Sequence, residues 1–420
     1  KTAEYEKLAH ALSAPGACAL FGLPGSGRAM VYAALAKETG RFLCIVTPGE
    51  AEATRFAGDL NALGIPTAVF PARDYVLRPI EGTAREYEYR RLSVLGDIVG
   101  GRLQAVCVPD EGLTQYTTPR AEFCNNTRTL HPGDTVPRTE LTALLYNAGY
   151  ARRAQVDGPG QFSIRGDIVD LYAPDMKLPV RMEFWGDEID TMHTFDLATQ
   201  RREDPVEKIY VSPAREVLFG SPAEAAELLR AFIKKFRGKK RTSLEACLAT
   251  ELAQLDGGAL PVNMDKYLAV RYPQPATLLD YFDDPLLVLE EPASLREAER
   301  ATTYRRGEEI SALLQDGVLA PGLDNLYAEN GYLWAQAANH RTICAENFAR
   351  SMPDIPLKDI VNAPAHTLPA WGGEVTSLLE DLQPLCNGGA AVTVLAGTQR
   401  AAAGLAADLR TKGLLVTTDP

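Results

Sequence analysis

Histidine is scarce, five in 420 residues, and the seven cysteines (18, 44, 107, 124, 247, 344 and 386) stand apart with no C-x-x-C pair. That excludes the usual zinc-ligand spacings and leaves no His-centred catalytic cluster. Cys44 in Phe-Leu-Cys-Ile-Val and Cys107 in Ala-Val-Cys-Val sit inside apolar runs, where a thiol serves as a small hydrophobe in a reducing compartment. No metal site is therefore expected. No leader-like segment and no apolar run of membrane-spanning length is present, so a membrane role is excluded and a cytoplasmic location expected. Positive charge is also in deficit. With 43 Lys and Arg against 55 Asp and Glu, the net charge of −12 argues against broad wrapping of nucleic acid. Two local basic patches remain, Arg85 with Arg90 and Arg91, and Lys234-Lys235 with Lys239-Lys240-Arg241; on helices such faces are usually just solvated.

What is present is a phosphate-binding loop without its chemistry. Gly22-Leu-Pro-Gly-Ser-Gly-Arg-Ala29 follows the apolar run Ala17-Cys-Ala-Leu-Phe21 and precedes a helical stretch. The glycine pattern G-x-x-x-x-G is kept by Gly22 and Gly27, with Gly25 between them. The lysine that would probe the β- and γ-phosphates is Arg28, and the hydroxyl that would hold Mg²⁺ is Ala29. A second strand, Leu286-Leu-Val-Leu-Glu-Glu-Pro292, ends in paired acids as the metal-binding strand of P-loop ATPases does, but with Glu290-Glu291 where Asp is expected. The sequence therefore predicts a nucleotide-binding architecture kept as a scaffold, with no catalytic residue. Asp110-Glu111, just after the strand 103–108, fits an acidic turn better than a catalytic pair.

At 420 residues the chain has room for two to four domains. Residues 1–137 alternate strand and helix and predict the first part of an α/β domain with a largely parallel sheet. Residues 138–212 switch to period 2, with turn signals at Pro174-Asp175 and Gly186-Asp187, and predict an inserted antiparallel β-rich domain. Residues 213–350 return to the α/β domain and add a long helix near 293–315. Prolines 353, 356, 364 and 369 mark 351–371 as a linker. Residues 372–420 predict the start of a further small α/β unit, with strands at 391–396 and 414–417. That unit is too small to close a core, and the chain opens at Lys1, so a longer natural protein is expected.

The segments Gln155-Val-Asp157, Pro159-Gly-Gln-Phe-Ser-Ile-Arg-Gly-Asp-Ile-Val-Asp-Leu171, Pro179-Val-Arg-Met-Glu-Phe-Trp-Gly-Asp-Glu-Ile189 and Thr194-Phe-Asp-Leu-Ala-Thr-Gln-Arg201 carry a resemblance. They resemble the N-terminal, UvrB-like module of the bacterial transcription-repair coupling factors (Mfd family). The resemblance implies that the inserted β domain docks onto UvrA. It also implies that RNA polymerase and DNA are engaged by regions absent here, and that ATP and Mg²⁺ serve a motor further along the chain. This fragment then needs no cofactor, and its other partner is the rest of its own chain, packed against it in an autoinhibited state. UvrB itself keeps a Lys-Thr P-loop and inserts an aromatic hairpin that grips DNA. Here Phe70 to Tyr75 is followed at once by the helix starting near Thr83, leaving no room for one. The competing reading is an active UvrB-like repair ATPase or helicase, which the residues at 28, 29, 290 and 291 oppose.

The docking face also follows from strand parity. Val180, Met182 and Phe184 share one face of their strand, and Arg181, Glu183 and Trp185 share the other. Treated as one strand, 161–171 places Arg165 with Gln161, Ser163 and Asp167, and Ile168 with Phe162 and Ile164. By residue type alone, two readings stand level. Arg165, Arg181 and Trp185 are an exposed binding patch, or the arginines pair with Asp167 and Glu183 while Trp185 packs beneath a loop. The resemblance favours the patch, because these three positions match those the family uses to contact UvrA.

Overall fold

Seven short strands, most of them apolar runs separated by helices, make one parallel sheet. The computed structural model describes residues 2–78, 85–352, 355–365, 374–390 and 392–418. In chain order the first part is α1 (Ala3–Ala11), β1 (Gly16–Phe21), α2 (Gly25–Thr39), β2 (Leu43–Thr47), α3 (Glu50–Ala62), β3 (Thr67–Val69), α4 (Glu86–Val99), β4 (Ala105–Pro109) and the single turn α5 (Asp110–Leu113). After α6 (Arg120–Asn125) comes the inserted part: β5 (Arg128–Leu130), α7 (Arg138–Asn147), β6 (Ala151–Arg152), β7 (Gln161–Arg165), β8 (Ile168–Tyr172), β9 (Val180–Trp185), β10 (Glu188–Phe195), β11 (Arg202–Pro205) and β12 (Ile209–Val211). The chain returns through α8 (Pro222–Lys234), α9 (Gly238–Asp256), α10 (Leu268–Arg271), β13 (Leu286–Glu290), α11 (Pro292–Gln315), α12 (Tyr332–Asn339), β14 (Arg341–Glu346) and β15 (Leu357–Asn362). The main sheet has the order β15-β1-β14-β13-β2-β4-β3, every pair parallel.

Parallel strands covered on both faces must be apolar at nearly every position, and β2, β4 and β13 are buried throughout. Cys18, Ile45, Cys107 and Val288 face α2 and α3, while Cys44, Val46, Val106 and Leu289 face α4 and α12. Two of the strands were not expected. β14, with only Thr-Ile-Cys-Ala at its centre, lies between β1 and β13. β15 lies within the stretch expected as a linker and pairs along β1. Its flanking Pro356 and Pro364 bracket the strand, and proline is tolerated at an edge in that way. The expectation that no hairpin fits before Thr83 turns on residues 79–84, which lie outside the described residues.

The inserted part is a six-stranded sheet of order β11-β10-β9-β8-β7-β6, antiparallel except for β6 with β7. The chain enters and leaves it through the β5–β12 ribbon. One sheet face packs Phe162, Val169, Leu171, Val180, Met182 and Phe184 against Leu141 and Leu145 of α7. What read as a single strand 161–171 is a hairpin: Gly166 at φ 59° opens the two-residue turn Gly166-Asp167. The turn reverses the parity beyond it, so Ile168 pairs Arg165 and Glu183 on the polar face.

Residues 1–364 and 365–420 are two compact units. In the second, α13 (Val375–Asn387) and α14 (Gln399–Thr411) share a small core of Leu378, Leu379, Leu382 and Leu409. The strands expected at 392–396 and 414–417 do not form among the described residues, and Ala391 lies outside them. No helix among the described residues is long and apolar enough to cross a membrane.

Within the first unit a buried ionic cluster ties the sheet to the segments that follow the inserted part. Glu216 is fully buried, and its Oε1 accepts from Arg91 Nε at 2.6 Å and faces Arg73 Nε at 3.3 Å. Arg73 makes a two-pronged pair with Asp265 at 2.7 and 2.9 Å. Burial alone would raise the Asp265 carboxyl, but Arg73 and the Val76 N–H hold it below the usual carboxylate range. Gln115 completes the cluster, accepting from Arg91 and from Arg73 N and donating to Arg73 O. Removing one partner from such a set strands the others without solvent. Glu216→Ala should lower unfolding stability by about 3–5 kcal/mol, read as a shift in the urea midpoint. A change within error would show that the cluster does not hold these segments together.

Candidate docking face and degenerate phosphate loop

The loop after β1 turns as a phosphate loop does, with Gly22 at φ 90°, and α2 begins at Gly25 behind Pro24. Its surroundings are filled by the chain itself. A Cβ on Gly22 would lie 2.9 Å from Ala363 O and 3.1 Å from Asn362 Oδ1, and the Arg55 guanidinium stands where a Gly25 Cβ would be. A Cβ on Gly27 would meet nothing closer than Pro24 at 3.4 Å. Ala29 is buried in the core.

Arg28 is only 3% exposed and reaches the acids at the end of β13. Nη1 lies 2.9 Å from Glu290 Oε2, and Nη2 donates to Glu291 Oε1 at 2.9 Å. Tyr32 Oη donates to the other Glu290 oxygen at 2.6 Å. Burial works against both charges. At Arg28 the acids outweigh it and raise the guanidinium above its ordinary value, whereas at Glu290 burial wins and pushes the carboxyl up to about 7. Glu291 adopts the left-handed conformation at φ 51°, rare for a residue with a side chain, and stands just ahead of α11. The two departures noted in sequence, Lys to Arg and Asp to Glu-Glu, are thus complementary halves of one internal ion pair. Their pairing was the unread signal. These residues are a poor match for Mg-ATP: the cation is spent on the chain's own acids, no hydroxyl stands at 29, and the faces of Gly22 and Gly25, though not of Gly27, are occupied.

Asp110, at the end of β4, is buried beside Glu299, Arg306 and Glu111, and its Oδ1 has no hydrogen-bond partner among the described residues. No group of three or more metal-ligating side chains occurs among the described residues. Burial, then Glu299, raises the Asp110 carboxyl to about 7 against the opposing pull of Arg306. A carboxyl that holds its proton more tightly folded than unfolded stabilises the fold at low pH. That contribution is lost as pH rises from about 4 toward 7. Asp110→Asn removes the titration, so the variant should gain on the parent across that window, by up to ~4 kcal/mol, and hold the gain above it. Thermal melts at pH 4.5 and pH 8 check this; a variant-minus-parent difference that ignores pH would contradict it.

The three expected side chains all lie on the polar face of the inserted sheet. Ser163, Asp170 and Arg181 are directly cross-strand on β7, β8 and β9, and Arg165, Ile168 and Glu183 form the next rung. Trp185 stands at the following position of β9, at the hairpin end, and is 84% exposed. The two arginines converge on Asp170, which is fully buried. Its Oδ2 accepts from Arg165 Nη2 at 2.6 Å and from Arg181 Nη2 at 2.9 Å, and its Oδ1 accepts from Arg181 Nε at 2.6 Å. Ser163 Oγ adds a longer bond of 3.4 Å.

The pairs expected from sequence do not form. Asp167 lies in the turn and pairs Arg138 at 2.6 Å, while Glu183 pairs Arg202. Nor is Trp185 beneath a loop. The arginines also differ from each other. Arg181 is 14% exposed, stacked 4.6 Å over the buried Phe195 ring, with Nη1 donating to Gln200 O; Arg165 is 46% exposed. Parity could not locate Asp170, because the partner of both arginines sits beyond a turn that the sequence reading ran through.

Residues 129–217 match the family described as the UvrB interaction domain, a range that takes in the β5–β12 ribbon, α7 and the whole six-stranded sheet. A transcription-repair-coupling factor of Bacillus subtilis is 26% identical over 375 residues, covering 87% of this chain and 32% of that protein. One of Staphylococcus haemolyticus is 26% identical over 309 residues, covering 70% of this chain and 26% of that protein. One of Staphylococcus epidermidis is 23% identical over 391 residues, covering 90% and 33%. The chain thus spans about a third of the length of the curated relatives it matches. It stands among the relatives of the transcription-repair-coupling factors, with a UvrB interaction domain at residues 129–217.

Proposed function

We propose that this chain is an adaptor that recruits UvrA in transcription-coupled nucleotide excision repair, carried on a P-loop scaffold that has lost ATPase activity. The observation that carries the reading is Trp185, a large apolar side chain 84% exposed on the same sheet face as the half-exposed Arg165. Aromatic and arginine side chains are the types that dominate binding energy when a partner buries them. Together with its partners Asp170 and Arg181, Arg165 presents one net positive charge, which suits an acidic side chain on UvrA. The internal pairing of Arg28 with Glu290 and Glu291 supports the loss of nucleotide chemistry and weighs against an active UvrB-like helicase. Contacts with RNA polymerase and DNA, and the use of ATP and Mg²⁺, belong in this reading to other parts of a longer protein, which is itself the remaining partner.

Arg165→Ala and Trp185→Ala should each weaken UvrA binding by about thirtyfold or more, the effect of truncating a ~2 kcal/mol anchor. The circular-dichroism melt should stay nearly unchanged, since neither side chain enters the core. Parent-like affinity in biolayer interferometry would overturn the docking reading. Isothermal titration with Mg-ATP should give no binding at millimolar nucleotide. Saturable hydrolysis abolished by Gly27→Val would restore the enzyme reading.

A further inference from the structure

On the basis of the UvrA-docking reading, we propose that Asp170 is the positioning residue of that face. It sets Arg165 in its binding pose before the partner arrives, with Arg181 as its fixed counter-charge. Asp170 sits on the central strand of the β7–β8–β9 trio, and its carboxylate is fully buried beneath the two guanidiniums. Its two oxygens take four bonds, three of them from arginine, with three on Oδ2 and one on Oδ1.

The bonds divide the labour between the arginines. Arg181 spends Nε and Nη2 on Asp170 and Nη1 on Gln200 O, the last held by a residue in the left-handed conformation at φ 60°. It has little left to offer a partner. Arg165 gives only Nη2 to Asp170. It sits at the last position of β7 beside the Gly166 turn, where a free arginine would sample many rotamers. One carboxylate against two guanidiniums leaves one positive charge, and the more exposed guanidinium is that of Arg165. Without Arg181, Asp170 would neutralise Arg165; without Asp170, the two like charges would push apart. Fixing a long side chain beforehand removes an ordering cost from association. The contact pair is then Arg165 with Trp185, and the frame is Asp170 with Arg181.

A double-mutant cycle on the full chain, read as UvrA affinity by biolayer interferometry, tests this. Asp170→Asn keeps the shape and should weaken binding about five- to tenfold in the parent, but less than twofold in an Arg165→Ala background. NMR of the free chain with labelled arginine should also show restricted rotation of the Arg165 guanidinium in the parent and its loss in Asp170→Asn. Equal losses in both backgrounds, no loss in the parent, or unchanged guanidinium rotation would overturn the proposal. Should Asp170→Asn alone not fold, the pair Asp170→Asn with Arg181→Gln removes one charge of each sign and is compared with Arg181→Gln by the same two readouts. If Arg165→Ala itself binds UvrA like the parent, the docking reading fails instead, and the guanidinium rotation still decides whether Asp170 holds Arg165.

Discussion

The fold of the first unit depends on one buried carboxylate, Glu216, facing Arg91 of α4 and Arg73 of the segment after β3. Apolar contact is non-directional and would let the parts that follow the inserted sheet slide over the parallel one. A fully desolvated ion cluster is directional and tolerates no slippage, since any shift leaves a charge without solvent or partner. Glu216 stands just beyond β12, where the chain leaves the inserted sheet, and Asp265 belongs to the helical return; Glu216 is registered through Arg91 and Arg73, and Asp265 through Arg73.

The same device recurs at two other places with different outcomes. At the phosphate loop, Arg28 meets Glu290 and Glu291, so that two acids and a tyrosine surround one cation. On the inserted sheet the ratio is reversed, with one acid beneath two cations, and the set is left with charge directed at solvent. The two sets thus differ in the sign of their excess charge, one acid at the loop and one cation on the sheet.

Much of this organisation was legible in sequence. The βα alternation, the switch to period 2 and the core parity of Val180, Met182 and Phe184 rest on local patterns, and those elements stand close to where they were expected. What escaped depends on distance or brevity. β14 carries too short an apolar run to stand out beside the α12 periodicity, and β15 hid among prolines that flank it. The hairpin at Gly166 was passed over because Ser163 and Asp167, two strand-like repeats apart, read as continuous. Of the ion pairs, those of Arg28 with Glu290 and Arg91 with Glu216 join residues far apart in the chain, and no window of sequence contains both ends.

The strand order of the main sheet has a consequence for synthesis. β1 and β2 never touch: β14 and β13 lie between them. A ribosome that has released the first four strands has therefore made two fragments of a sheet with apolar edges and no way to join them. The inserted sheet, by contrast, finds every pairing partner within residues 151–205 and can complete itself while the rest is still emerging. On the nascent chain the inserted sheet is then finished before the parallel one exists. The scaffold closes only when residues 286–346 arrive to fill the gap, so the unpaired edges of β1 and β2 are the points at which a stalled chain is open to aggregation or chaperone capture.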